Sequence, residues 1–134
     1  KVPILGQYMK LVGMIFVDRK NHERAMESMR TAIQDIQGGK SIAAFPEGTR
    51  TKTGELLPFK KGVFTISKEG RIPIVPIAVV GSARALASGS FSLRPARVEL
   101  HILPALNSEA FFNSSIDEMA NHTRSLIEQE IAKA

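Results

Sequence analysis

Apolar residues fall into two rhythms along this chain. In some stretches they recur every three or four positions, the spacing of a helix with one buried stripe; elsewhere they form short unbroken or alternating runs, which suit strands. Residues 4–12 carry Ile4, Leu5, Tyr8, Met9, Leu11 and Val12 at a mostly helical spacing and lead into the β-prone run Gly13-Met14-Ile15-Phe16-Val17, which ends at Asp18-Arg19. Asn21 is placed to cap a helix running to about Gln37, with Ala25, Met26, Met29, Ala32, Ile33 and Ile36 on one stripe and Gly38-Gly39 as its stop. Ile42-Ala43-Ala44-Phe45 is too short and too apolar for a surface helix, so it predicts a buried strand ending at Phe45. A polar loop from Thr51 to Pro58 precedes a short helix over residues 59–68. Pro73 to Val80 predicts a strand apolar on both faces, with Pro76 at a bulge or an edge. The Gly-, Ser- and Ala-rich stretch from Gly81 to Ser92 reads as a loop beside the site. Residues 97–103 alternate, which predicts Val98, Leu100 and Ile102 inward and Glu99 and His101 outward. Ser115-Ile116-Asp117-Glu118 has the spacing of a capping box and opens a helix with Met119, Ala120, Thr123, Ile127 and Ile131 on one face. Strands alternating with helices predict a single α/β domain over residues 1–134, with helices covering the sheet.

The pattern breaks most sharply after Phe45, where the apolar run stops in Pro46-Glu47-Gly48-Thr49-Arg50. In α/β folds ligands gather beyond the carboxyl ends of strands. Here that position carries a carboxylate, a hydroxyl and a guanidinium within four residues. Gly48 lets backbone approach a ligand, Thr49 offers a donor and an acceptor, and Arg50 can present its fork to two oxygens of a phosphate. Glu47 most simply holds Arg50 or a neighbouring turn. Asp18-Arg19 repeats the pattern of apolar run and charge, and both clusters could face one crevice. Lys60 and Lys61 fall at the amino end of the 59–68 helix, where open N–H groups already favour anions; the competing reading is a solvated face.

Composition narrows the chemistry. The chain of 134 residues has a net charge of +5, which favours an anionic partner. It has no Cys, so disulfides, thiolate nucleophiles and thiolate metal sites are excluded. No metal-ligand cluster, phosphate-binding Gly-Lys-Ser/Thr loop or nucleophile elbow is present in the sequence. With one Tyr and no Trp, and little aromatic interleaving among the basic residues, nucleic acid is not the expected anion. The longest apolar run, Ile72 to Val80, falls well short of the roughly 20 residues that span a bilayer. The chain starts at Lys1 in what reads as mid-domain sequence, so it is expected to be the carboxyl-terminal portion of a longer domain.

Phe45-Pro46-Glu47-Gly48-Thr49-Arg50, preceded by Gly13-Met14-Ile15-Phe16-Val17-Asp18-Arg19 and followed by Val75-Pro76-Ile77-Ala78, resembles three ordered blocks of the 1-acyl-glycerol-3-phosphate acyltransferases. Gly54-Glu55-Leu56-Leu57-Pro58-Phe59-Lys60-Lys61-Gly62 is similar to the bacterial members, and the resemblance covers about Lys1 to Val80. It implies a glycerolipid acyltransferase-like α/β fold with a central mixed, largely parallel sheet. It also implies transfer of a fatty acyl group from acyl-CoA or acyl carrier protein, as co-substrate and without a cofactor, to the free hydroxyl of lysophosphatidate. The phosphate would lie at Arg19, Glu47, Gly48, Thr49 and Arg50, and the substrate or acyl pocket at Val75, Pro76 and Ile77, although from the residues alone the run from Val75 to Val80 reads as core rather than pocket. Lys60 and Lys61 would meet phosphates of donor, acceptor or membrane. The implied location is the cytoplasmic face of the cell membrane, against anionic head groups, with any anchor upstream.

The family's general base is a His, four residues and an Asp, placed before the block that ends at Arg19; no such pair precedes Arg19 in this sequence. No catalytic residue is therefore assigned within the chain, and by itself the chain is expected to be nearly inactive. His22 and Glu27 have the spacing but fall after that block, on a predicted helix where positions five apart diverge by about 140°. His101 and His122 read as solvated surface residues and Asp18 as structural. Two alternatives stay open: a related acyltransferase taking glycerol 3-phosphate or another lysolipid, and a non-catalytic anion-binding module.

Overall fold

The computed structural model describes residues 22–51, 53, 55–87, 89 and 92–134. The expected helix over 4–12, the strand at 13–17, Asp18, Arg19 and the Asn21 cap lie outside them. Two compact units divide the chain at Ile42. In the first, helix α1 (His22–Gln37) buries Ala32 and half-buries Met26, Met29, Ile33 and Ile36, the expected stripe. It stops where Gly38 and Gly39 turn back onto Gln34 and Ile36, with Gly39 at φ +94°.

Among the described residues the second unit, Ala43–Ala134, contains six elements: α2 (Gly62–Gly70), β1 (Ile77–Val80), α3 (Ser82–Ala85), β2 (Glu99–Ile102), α4 (Glu109–Asn113) and α5 (Ile116–Ile131). Its core is Phe64, Phe111, Phe112, Met119 and Ala120, closed over by Phe59, Val63, Ile74, Leu106 and Ile116. Phe64 and Met119 are almost wholly out of water, and each is worth about 1.5–3 kcal/mol of apolar transfer. The capping box forms as expected: the Ser115 hydroxyl accepts from the Glu118 N–H at 3.2 Å, and the Glu118 carboxylate accepts from the Ser115 N–H at 2.7 Å. The Arg71 guanidinium pairs with Glu109 and sits 5.3 Å from the Phe112 ring centroid, fastening the end of α2 to α4.

Among the described residues the sheet is two-stranded and antiparallel, with Ile77 opposite Ile102, Ala78 opposite His101, Val79 opposite Leu100 and Val80 opposite Glu99. Facing residues share a side, so Ile77, Ile102, Val79 and Leu100 form one face and Ala78 and His101 belong to the other. Here the structure corrects the alternation reading. Leu100 and Ile102 are 65% and 73% exposed, whereas Ala78 is fully buried and His101 is held toward α5. A period of two says only that the faces differ; which face is covered depends on α5, which packs on β1 and is far off in sequence. The same arrangement corrects the strand expected to be buried on both sides, since Val75, Ile77 and Val79 are all exposed and only Pro76 and Ala78 are buried.

Residues 42–45 are a further correction. They form no strand, and Phe45 is 84% exposed. A strand needs neighbours for its backbone donors and acceptors, and among the described residues none pairs with this run. The short α3 and α4 are additions to the expected elements. α4 supplies two core phenylalanines, and Ser108 caps it by accepting from the Phe111 N–H at 3.1 Å.

Candidate functional site

After Phe45 the chain reverses in one tight turn, closed by the Gly48 N–H donating to the Phe45 carbonyl at 3.0 Å. Gly48 lies at φ +70°, the left-handed region that side-chain-bearing residues enter at a cost of about 1–2 kcal/mol. The turn needs its glycine, and the next residues emerge into solvent: Thr49 and Arg50 are exposed. Arg50 has no ion-pair or hydrogen-bond partner among the described residues. The Glu47–Arg50 pair considered from sequence does not form. Instead the Glu47 carboxylate accepts from the Leu57 N–H at 2.8 Å, the second alternative of that reading, and so pins the following loop to the turn.

The loop is held from its other side as well. Arg124, on α5, donates to the carbonyls of Leu56 at 2.7 Å and Leu57 at 3.4 Å, and its guanidinium is steadied by Glu128 at 3.0 Å. Leu57 therefore has its N–H held by Glu47 and its C=O by Arg124. This residue escaped the sequence reading because its partners are backbone carbonyls 67 and 68 positions away, which leave no mark on any side-chain pattern.

A third tie brings in the start of α2. The Lys60 N–H donates to the Pro46 carbonyl at 2.7 Å, so the amino end of that helix lies beside the turn. Among the described residues no side chain caps α2, so its first N–H groups have no side-chain acceptor and their partial positive charge favours an anion. Lys60 is exposed and its ammonium has no partner among the described residues. Lys61 differs: it donates to Asp117 at 2.8 Å across to α5, which leaves it less available to a ligand. The turn that carries Arg50 and the amino end of α2, with Lys60, thus adjoin as one cationic corner, the Glu47 carboxylate being engaged with Leu57.

Other expected residues fall elsewhere. Arg19 is outside the described residues. Val75 and Ile77 are exposed and Pro76 is buried, with the Pro76 carbonyl accepting from the Leu103 N–H at 2.9 Å. His22 and Glu27 both lie in α1, so the helical spacing that separates them holds. His122 is exposed, as expected. His101 departs from expectation: it is half-buried, with one ring nitrogen 3.0 Å from Glu130 and the other 3.4 Å from Glu99. Hydrogen bonding to Glu130, then to Glu99, raises its pKa against the opposing effect of burial. Among the described residues no group of His, Asp or Glu is arranged to hold a metal ion, and no helix is long and apolar enough to cross a membrane.

The sequence family model described as Acyltransferase matches residues 1–80, more than half of the chain and the stretch that includes this turn. The chain belongs to the acyltransferase family.

Its similarity to family members does not stop at the family model. It is 38% identical over 117 residues to the 1-acyl-sn-glycerol-3-phosphate acyltransferase of Limnanthes douglasii, covering 87% of this chain and 42% of that protein. Against the enzyme of the same name from Escherichia coli it is 31% identical over 133 residues, covering 98% of this chain and 54% of that one. The crystal structure of the 1-acyl-sn-glycerophosphate acyltransferase of Thermotoga maritima matches with a TM-score of 0.80 at 26% identity, over 99% of this chain and 52% of the other. The chain therefore spans about half the length of such relatives. The α/β, glycerolipid acyltransferase-like fold holds, and the likeness continues past Val80, where the sequence blocks end.

Proposed function

We propose that this chain is the acceptor-holding part of a 1-acylglycerol-3-phosphate O-acyltransferase, which moves a fatty acyl group from acyl-CoA or acyl carrier protein onto lysophosphatidate and so makes phosphatidate. The observation that carries the reading is the cationic corner: Arg50, without a partner among the described residues, leaves a left-handed glycine turn that is tied through Pro46 and Lys60 to the amino end of α2. A phosphate monoester there would take charge-assisted bonds of about 1.5–3 kcal/mol each, and the Arg50 fork would fix its orientation as well as its place. The family resemblance gives Arg19 a phosphate-binding role as well.

In the reaction the acceptor hydroxyl oxygen attacks the thioester carbonyl carbon, the C–O ester bond forms, the C–S bond breaks, and the sulfur leaves as the thiol once it is protonated. The hydroxyl proton would pass to the family's His and Asp pair, which would lie upstream of the block ending at Arg19. Within this chain Gly48, Thr49, Arg50 and Lys60 bind and orient, Glu47 and Arg124 hold the turn and its loop in register, and no cofactor or metal is required. Lysophosphatidate resides in a bilayer, so the working position would be peripheral, at the cytoplasmic face of the membrane, with basic side chains contributing about 1 kcal/mol each against anionic head groups.

The test is release of coenzyme A from an acyl-CoA, with and without lysophosphatidate, comparing this chain with one extended upstream through the His and Asp block. A thiol-reactive dye suits the measurement because the chain has no Cys. Turnover by the extended chain alone, dependent on lysophosphatidate, is the expected result. Equal turnover by the short chain would place the base within it and overturn the assignment, and turnover with glycerol 3-phosphate in place of lysophosphatidate would change the acceptor.

A further inference from the structure

The stretch from Gly81 to Val98 contains three arginines, Arg84, Arg94 and Arg97, and not one Asp or Glu. Read as sequence it is a featureless loop, yet the fold gives it a shape. α3 makes one turn, the Leu86 N–H donating to the Ser82 carbonyl at 3.1 Å, and the chain then returns so that the Arg94 N–H donates to the Ala85 carbonyl at 2.9 Å. The base of the loop is equally fixed. Gly81 sits at φ +82° with the Arg97 carbonyl so near that an added Cβ would clash with it, so the two ends of the loop meet backbone to backbone. Between the outgoing and returning segments lies a recess of about 370 Å³, lined among the described residues by Ala83, Arg84, Ala87, Ser92 and Arg94.

The charges in it are uncompensated. Arg97 is paired with Glu99 at 3.0 Å, while the guanidinium groups of Arg84 and Arg94 have no partner among the described residues. Two like charges on one short loop repel each other, and a doubly charged tetrahedral anion relieves that repulsion while matching both forks. Ala83 and Ala87 add apolar surface beside the arginines, which suits an anion attached to a carbon-rich body better than a free inorganic ion.

We propose that this recess is a binding site for a phosphate ester, gripped by Arg84 and Arg94 with the organic part of the ligand lying against Ala83 and Ala87. The assignment stands on the recess and its arginines and uses none of the residues of the Phe45–Lys60 corner. Two sources supply the chemistry: the phosphates of a soluble nucleotide-bearing molecule such as coenzyme A, or the head group of an anionic lipid.

Calorimetric titration of the chain with coenzyme A, with pantetheine as its phosphate-free counterpart, and with phosphatidylcholine vesicles containing phosphatidate, separates the sources. Arg84→Gln and Arg94→Gln should each weaken binding of the phosphate-bearing probe by about tenfold or more, the loss of one charge-assisted contact. Lys40→Gln, which removes the same charge from an exposed residue, should leave it unchanged, and pantetheine should not bind. Loss confined to coenzyme A assigns the nucleotide source, and loss confined to the vesicles assigns the lipid. Arg84→Lys and Arg94→Lys keep the charge and should fold like the parent chain while recovering only part of the affinity. Undiminished binding of both probes by the glutamine variants, or no binding of either probe by the parent chain, overturns the proposal. Undiminished binding by the glutamine variants would overturn this site alone; the acyl-transfer reading stands or falls separately, on turnover by the extended chain.

Discussion

Arg124 shows how a single residue can act on a site without touching a ligand. Its two backbone acceptors lie on the loop that Glu47 holds from the other side, so removing the guanidinium frees Leu56 and Leu57 while leaving the cationic groups in place. Arg124→Ala is expected to weaken lysophosphatidate binding several-fold through loss of orientation, with stability falling by about 1–3 kcal/mol. Arg124→Lys should restore most of the stability and little of the affinity, since a point charge cannot span two carbonyls. Parallel loss of both quantities in Ala and Lys variants would reduce the residue to a general brace. His101 gives a residue-scale prediction in pH. Its pKa is raised in the folded protein by Glu130 and then Glu99, the Glu130 carboxylate also being held by Lys133 at 3.0 Å and Glu99 by Arg97. The contribution is thus complete below the unfolded value of about 6.5 and is lost as pH rises through the raised folded value. Melting temperature should therefore fall as pH rises above about 6.5, and His101→Gln should flatten that part of the curve. An unaltered slope would mean that the His101 pairing does not form in solution.

At the scale of elements, local signals were legible and long-range ones were not. The α1 stripe, its Gly38-Gly39 stop and the Ser115 capping box are written in residues a few positions apart, and all three stand in the structure. The buried face of β2, the loss of a strand at residues 42–45 and the contribution of α4 depend on what packs or pairs from elsewhere, which periodicity does not encode. The loop after β1 illustrates the limit, because its fixed points are backbone contacts. Gly81→Ala combines a left-handed φ, worth about 1–2 kcal/mol, with a clash on the Arg97 carbonyl that no rotamer can relieve. The substitution should cost more than about 2 kcal/mol in chemical denaturation and should shift the β1–β2 pairing that Gly81 adjoins. A variant as stable as the parent would show that the close approach is not kept in solution.

For the whole molecule, charge and fold make different statements. A net charge of +5 draws any anion toward the surface, and at about 0.15 M salt that attraction is screened beyond roughly 8 Å, leaving contact geometry to decide what stays bound. The candidate site was legible as a motif, since Gly48, Thr49 and Arg50 are adjacent in sequence. Its construction from Glu47, Arg124, Pro46 and Lys60 was not, because every one of these ties runs through a backbone group. The claim most exposed to test is that Arg50 holds the acceptor phosphate by its fork. Lysophosphatidate binding to the parent chain and to Arg50→Lys at about 0.15 M salt tests it directly, because the exchange conserves net charge and removes only the bidentate geometry. A loss of about tenfold or more with unchanged melting temperature is the predicted result. Equal affinity in the two chains would contradict it.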